Sequence, residues 1–434
     1  MLDFAAACAV FFTFCPSLNE AESVARSFTY PQPSSCTASL PRRKSGMSLF
    51  PSEDARLAEF PLARDSIFLA HAGVTILPRR VTKVMQDYLE ESCLRMQEFP
   101  EAWRAVNETR VVAAQMIGAK ASEISLLGPT SLGLSLVANG LDWQPGDEVV
   151  CYQDDYPANV YPWTDLVRHG VVVRLLKPEA PGAITPELVE AMLTPKTKLV
   201  ALASCHFLSG YRIQIDAIGQ MLRARGVLFC LDAIQTLGAF ETRVDYVDFL
   251  SADSHKWMLG PMAAGIVYVR EEVQERLRPT LLGSWNVQSP NFIAQDIIAF
   301  EKGGRRYEPG VLNVVGILGM KAGLELLLEH GLPAVSAQLL RLKTRLVQRL
   351  EPLGFRFLGP VSGPNASGIT TAWRPEGSGP SAAKIYDHLT RQKISPSLRF
   401  DRAGQPYLRF SPHFYNTEAE MDRVVDAIAD TPMD

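Results

Sequence analysis

The sequence predicts an α/β fold, with a large lobe built on a mostly parallel sheet between helices and a smaller α+β lobe at the C-terminal end. Three observations carry that expectation. Short, continuously apolar and β-branched runs recur at residues 148–152, 171–176, 198–203, 227–231, 247–250 and 265–269. Helix-like segments at 81–94, 131–141, 186–193 and 215–226 alternate with them. After about Val311 the alternation stops, and a long amphipathic pattern leads into a separate set of strand-like runs.

Each element follows from its pattern. The six runs show apolar residues without polar alternation, as strands buried on both faces do, and such strands need helices above and below a sheet whose connections cross over. The pattern at 315–329, continuing to 353, reads as one long amphipathic helix. Strands are expected near 355–358, 368–373 and 407–410, and a last helix over 418–429. The expected organisation is an N-terminal segment at 48–79 that joins the site, a large ligand-binding domain at 80–310 and a small C-terminal domain at 311–434. No internal repeat occurs, and no Gly-x-Gly-x-x-Gly stands between a strand and a helix.

Composition narrows the partners. A chain of 434 residues, 47% of them hydrophobic, can bury a large core. A net charge of −4 with interspersed signs offers neither a basic face for nucleic acid nor a polybasic membrane patch, so a small-molecule partner is expected. The seven cysteines (8, 15, 36, 93, 151, 205 and 230) form no Cys-x-x-Cys pair, which fits reduced thiols and a cytoplasmic location. No metal site is expected. The apolar run at 4–15 is too short to span a bilayer and lacks a positive flank, and 29–45 is rich in Pro and Ser. Residues 1–47 are therefore expected to be a disordered, dispensable extension or a poor signal-like segment, with Met47 an alternative start.

Lys256 is the most informative residue. It follows an apolar strand-like run and precedes a turn at Gly260-Pro261, a poor place for solvation and a suitable one for a Schiff-base amine. An isolated lysine is usually a solvated surface charge, but Asp232 lies 24 residues upstream at the end of another apolar run, with Gln235 just beyond. Those two residues supply the carboxylate and the neutral donor that a pyridinium ring requires at its nitrogen and its phenolic oxygen.

The segments HAGVTILP (71–78), Thr130-Ser131, DDYPANVYPW (154–163), DAIQ (232–235), SADSHKW (251–257) and LRFSPHFYNTEAEMD (408–422) occur in a telling order. The chain resembles, over roughly residues 66–428, the fold-type I pyridoxal phosphate (PLP) enzymes of the class V aminotransferase, or cysteine desulfurase-like, superfamily. Its branch of likeness is that of selenocysteine lyase and isopenicillin N epimerase. The resemblance implies pyridoxal 5'-phosphate bound to Lys256, with Asp232 and Gln235 as its partners. It also implies Thr130, Ser131 and His255 at the phosphate, with helix-terminal amides adding donors, and Tyr156 stacked on the ring. Arg409, inside a strand-like run where an unpaired charge is costly, is implied to hold the substrate carboxylate, with Arg399 as a second candidate and His71 lining the pocket. A homodimer is implied as well, with segments 283–285 and 303–308 reaching the neighbour.

Three positions depart from the family pattern. Asp253 stands where many relatives have a phosphate-binding serine, which leaves Ser254 as an uncertain substitute. Phe207 replaces an asparagine that touches the cofactor. No cysteine follows Cys230, so the C-terminal lobe lacks the thiol on which desulfurases form a persulfide. The reaction expected first is aminotransferase-type chemistry, with β-elimination (C–S lyase) or epimerisation as the alternative. A non-catalytic PLP-fold binding protein is a further possibility, against which the retained Lys256, Asp232, Gln235 and Arg409 argue.

Overall fold

In the computed structural model the described residues are 49–433, so the expectations for residues 1–47 lie outside them. The strands, in chain order, are β1 (Ile67–Phe68), β2 (Ile124–Ser125), β3 (Glu148–Tyr152), β4 (Val172–Leu176), β5 (Thr197–Ala203), β6 (Leu228–Asp232), β7 (Phe249–Asp253), β8 (Gly265–Val269), β9 (Arg356–Phe357), β10 (Thr370–Trp373), β11 (Ile394–Ser395), β12 (Ser397–Phe400) and β13 (Pro406–Phe410). Seven of them form one sheet in the order β2-β8-β7-β6-β5-β3-β4. From β7 to β4 all neighbours run parallel, while β8 is antiparallel to both β7 and β2. β3, β6, β7 and β8 are buried along their whole length, which is why they are mostly apolar, with charged residues only at their ends; β4, at the edge, is half-exposed.

Helices cover both faces. Helix Thr130–Gly140 lies close against the sheet because Gly133 has no side chain: a Cβ there would sit 2.4 Å from Ser251 Oγ. A second sheet, β12-β13-β10-β9, is antiparallel and packs with helices Leu332–Leu350, Ala382–Arg391 and Glu418–Ala429 around Leu342, Leu346, Leu389 and Ile428. β1 pairs in parallel with β11, and Ala70 bridges Ser411, so the segment that carries His71 and Gly73 is tied to this smaller sheet.

The structure corrects several element boundaries. The single long helix expected from 315 to 353 is two, Val314–His330 and Leu332–Leu350, because Gly331 adopts φ +80° and Pro333 lacks the amide to continue the ladder; a 3₁₀ turn, Glu351–Leu353, follows. The strand expected at 247–250 begins at Phe249 and continues to Asp253. Its start is fixed by Asp248, whose carboxylate accepts from the Phe229 amide and the Arg270 guanidinium. Helices Pro100–Ile117 and Ala382–Arg391 and strands β1, β2, β11 and β12 were not expected from the sequence.

Candidate active site

Asp232 is the last residue of β6, and Lys256 lies three residues beyond β7, so both stand at the carboxyl ends of adjacent parallel strands. Asp232 is buried, and its Oδ1 accepts from the Ile234 amide at 3.0 Å. Burial raises its pKa well above the carboxylate range, the negative charge of Asp155 raises it further, and the Lys256 ammonium works the other way. Lys256 is only 6% exposed, and burial lowers its pKa, with Asp232 opposing and Arg409 and Arg399 reinforcing the shift. Its Nζ makes no hydrogen bond to a described residue and lies 5.2 Å from the centroid of the Tyr156 ring.

The lysine loop is held from several directions. Ser254 Oγ donates to the Pro261 carbonyl at 2.8 Å, and the Gly260 amide donates to Ser254 O. Trp257, fully buried, donates from Nε1 to Gln235 Oε1 at 2.8 Å. Gln235 in turn donates from Nε2 to the Ala72 carbonyl at 3.1 Å, joining the site to the segment that carries Gly73. Gly238, at φ +94°, lets the chain pass the Trp257 carbonyl, which a Cβ would approach to 2.4 Å.

At the end of β7, Thr130 Oγ1 accepts from the Asp253 amide at 2.9 Å, and Ser251 Oγ donates to Thr130 O. The N-terminus of helix Thr130–Gly140 is thereby anchored to the end of β7, three residues before Lys256, with Ser131 exposed. Asp253 is buried. Its Oδ1 engages His255 Nδ1 at 2.5 Å and accepts from the His255 amide, while Oδ2 has no partner. Asp253 therefore steadies the imidazole, and the opposite ring nitrogen of His255 has no partner among the described residues.

Arg409, on β13, is 1% exposed. Its Nη1 donates to the Phe207 carbonyl at 2.6 Å, whereas Nε and Nη2 are buried without a partner. Burial first, then the Arg399 charge, lowers its pKa to about 9. No carboxylate pairs with either arginine among the described residues, so Arg409 is not the anchor of an ion pair to the last helix. Phe207 meets the Tyr156 ring edge-on at 5.6 Å, and its carbonyl orients Arg409.

Two expectations are corrected. His71 is a packed core residue: it is fully buried, with Nδ1 at 2.7 Å from Thr75 Oγ1 and Nε2 at 3.0 Å from Tyr415 Oη, so neither nitrogen is left for a substrate. Segment 303–308 makes close contacts within this subunit. Its Arg306 bonds Glu275, its Tyr307 hydroxyl donates to the Gln274 carbonyl and its Glu308 accepts from Arg110, while Trp285 stacks on Trp103. Ser254 is likewise spent on Pro261 rather than turned towards the Thr130 terminus.

One residue was missed. Asp155 is buried, its Oδ1 accepting from the Tyr156 amide and its Oδ2 from Asn159 Nδ2, while Asn159 Oδ1 accepts from Trp163 Nε1. Burial raises its pKa to about 6, and its charge acts on Asp232 while that of Lys256 acts on it. The spacing of Asp155, Asn159 and Trp163 at intervals of four was the signal available in the sequence.

Comparison with known proteins follows from this arrangement. The sequence matches the family described as "Aminotransferase class-V" over residues 67–424. It is 29% identical over 388 residues to a probable cysteine desulfurase of Methanothermobacter thermautotrophicus, covering 85% of this chain and 95% of that one. It is 27% identical over 335 residues to the isopenicillin N epimerase of Streptomyces clavuligerus, covering 74% and 83%. Its fold superposes on the apo cysteine desulfurase of Thermococcus onnurineus with a TM-score of 0.80 at 23% identity, covering 88% and 98%. The architecture is that of the fold-type I PLP enzymes. The chain belongs to the class V aminotransferase family, whose cofactor is pyridoxal 5'-phosphate. The residues present suit that group: a buried amine without an acceptor, a buried carboxylate facing it, an aromatic face, an anchored helix N-terminus and an orphaned guanidinium edge.

Proposed function

We propose that this enzyme acts on an amino acid through a Schiff base at Lys256, with aminotransferase-type chemistry as the first reading. The cofactor, when bound, supplies an aldehyde that condenses with amines and a ring that accepts the electron pair of a Cα carbanion. Lys256 would hold it, and its amine would be the base that takes the Cα proton, a task suited to an amine whose pKa burial has lowered. Asp232 holds the proton on the ring nitrogen, and Gln235 stands beside it. Thr130, Ser131 and His255 receive the phosphate, with Asp253 orienting His255. Tyr156 covers one face of the ring. Arg409 receives the substrate carboxylate on its Nε–Nη2 edge, and that orphaned buried edge is the observation that carries the reading.

The functional unit we propose is a homodimer. Phe292, Ile293, Ile297, Ile298 and Val311 are exposed by half or more, an uncovered apolar surface suited to a second subunit.

Direct β-elimination is the second reading, favoured by the desulfurase names of the relatives. A protein persulfide has no support. Residues 311–434 contain no cysteine. Burial raises the thiol pKa of Cys151 to about 12 and of Cys205 to about 11, and holds that of Cys230 high. The test is a single-turnover screen of amino acids. Conversion of the cofactor band to the pyridoxamine form, with release of the matching keto acid, is expected; ammonia and pyruvate from cysteine, with no pyridoxamine form, would establish elimination instead.

A further inference from the structure

The proposed carboxylate site contains one arginine more than an α-carboxylate needs. Arg399 on β12 is opposite Tyr407, and Arg409 on β13 is opposite Ser397, so the two arginines are diagonal neighbours on one face of the ladder. Both reach the same backbone: a Cβ on Gly73 would lie 3.3 Å from Arg399 Nη2 and 3.6 Å from Arg409 Nη2. The two nitrogens are thus no farther apart than those distances combined. Neither guanidinium has a carboxylate partner among the described residues, and the only hydrogen bond of Arg399 is from Nη1 to the adjacent Leu398 carbonyl, at 3.3 Å.

Nearby acids are otherwise engaged. Asp401 accepts from the Tyr407 hydroxyl and from the Ala403 and Gln405 amides, Asp154 pairs with Arg402, and Asp155 is turned to Tyr156 and Asn159. Two like charges side by side repel unless an anion lies between them. The free Nε–Nη2 edge of Arg409 matches one carboxylate completely, in bidentate fashion. A single carboxylate held on that edge would leave the half-buried head of Arg399 without an anion partner.

We propose that Arg399 is a specificity-determining residue that forms a second anion position, so that the preferred substrates are amino acids with an acidic side chain: dicarboxylates or the corresponding sulfinates. The assignment rests on the reading of Arg409 as the α-carboxylate site. It names a substrate class from the pocket's charge, since the orphaned edge of Arg409 and the unpaired head of Arg399 face the same small space beside Gly73.

Two measurements test it on the holoenzyme. In the first, the cofactor band is titrated with L-aspartate and L-glutamate and with L-asparagine, L-glutamine and L-alanine. The acids are expected to bind roughly 10- to 100-fold more tightly than their amides, the range for a charge-assisted hydrogen bond gained or lost. Arg399→Gln should erase that preference, weakening the acids far more than the amides, whereas Arg409→Gln should weaken all five. In the second, melting temperature is followed with succinate or butyrate; only the dicarboxylate should stabilise the enzyme, and only while Arg399 is present. Equal affinity for acids and amides in the wild type, or an equal loss for all five in Arg399→Gln, would overturn the proposal. If no amino acid changes the band yet succinate still protects through Arg399, the second anion position stands and the amino-acid reading of the site fails.

Discussion

Among the described residues two lysines are buried, and the contrast between them separates a working amine from a structural one. Lys343, in helix Leu332–Leu350, is 2% exposed and donates from Nζ to the Ile369 carbonyl at 2.6 Å. Burial chiefly, opposed by Cys205 and helped by the charge of Arg212, lowers its pKa to about 8. Lys256 is as well buried and its pKa is lowered for the same reason, yet its Nζ has no acceptor, an aspartate stands across from it, an aromatic ring lies beside it and two unpaired guanidinium groups lie nearby. Burial and a lowered pKa are common to both. Convergence at the ends of parallel strands belongs to Lys256 alone.

The largest effect expected is the one that breaks the pair apart. Lys256→Ala should lower turnover by at least ~10⁴-fold, since it removes both the covalent link and the base, while Lys343→Met should leave turnover within about threefold. A comparable loss in both variants, measured as kcat on the same substrate, would show that burial rather than location defines the working amine. Asp232→Asn comes next. It should keep the cofactor bound but lose roughly 10²- to 10³-fold in kcat, because an amide cannot hold the ring proton; full activity would make the carboxylate structural.

The smallest effect is on stability. Because the folded pKa of Lys343 lies near 8, below its ordinary 10.5, the unfolded chain binds more protons between those values, and stability attributable to this residue rises with pH across that window. Below pH 8 the burial penalty is fully present. Lys343→Met should therefore stabilise the protein by about 1–2 kcal/mol at pH 7, and the gain should shrink towards pH 10 in denaturant titrations. A difference that did not change with pH would mean that the ammonium is not the source of the penalty.

Much of this contrast was legible in the sequence, and the illegible parts have definite causes. Lys256 and Asp232 could be read because each is a charge at the end of an apolar run, a local pattern that needs no knowledge of the fold. Arg409 could be read for the same reason, as a charge inside a strand. His71 could not, because one of the groups that satisfy it, Tyr415, is 344 residues away in sequence and adjacent only after β1 and β11 pair. Asp155 was hidden because its burial depends on Asn159 and Trp163 folding beneath it. The break at Gly331 was masked because apolar residues continue in register on both sides of it, from Leu327 to Leu332. Lys343 gave no signal at all, since a lysine in an amphipathic helix reads as a solvated face until the β10 segment closes over it.

The central claim, that Lys256 and not another buried amine carries the cofactor, is tested most directly by reducing the holoenzyme with borohydride and mapping the labelled peptide. One label per chain is expected, on the peptide that contains Ser254-His255-Lys256-Trp257. Label on the Lys343 peptide or elsewhere, or no label with cofactor supplied, would contradict it.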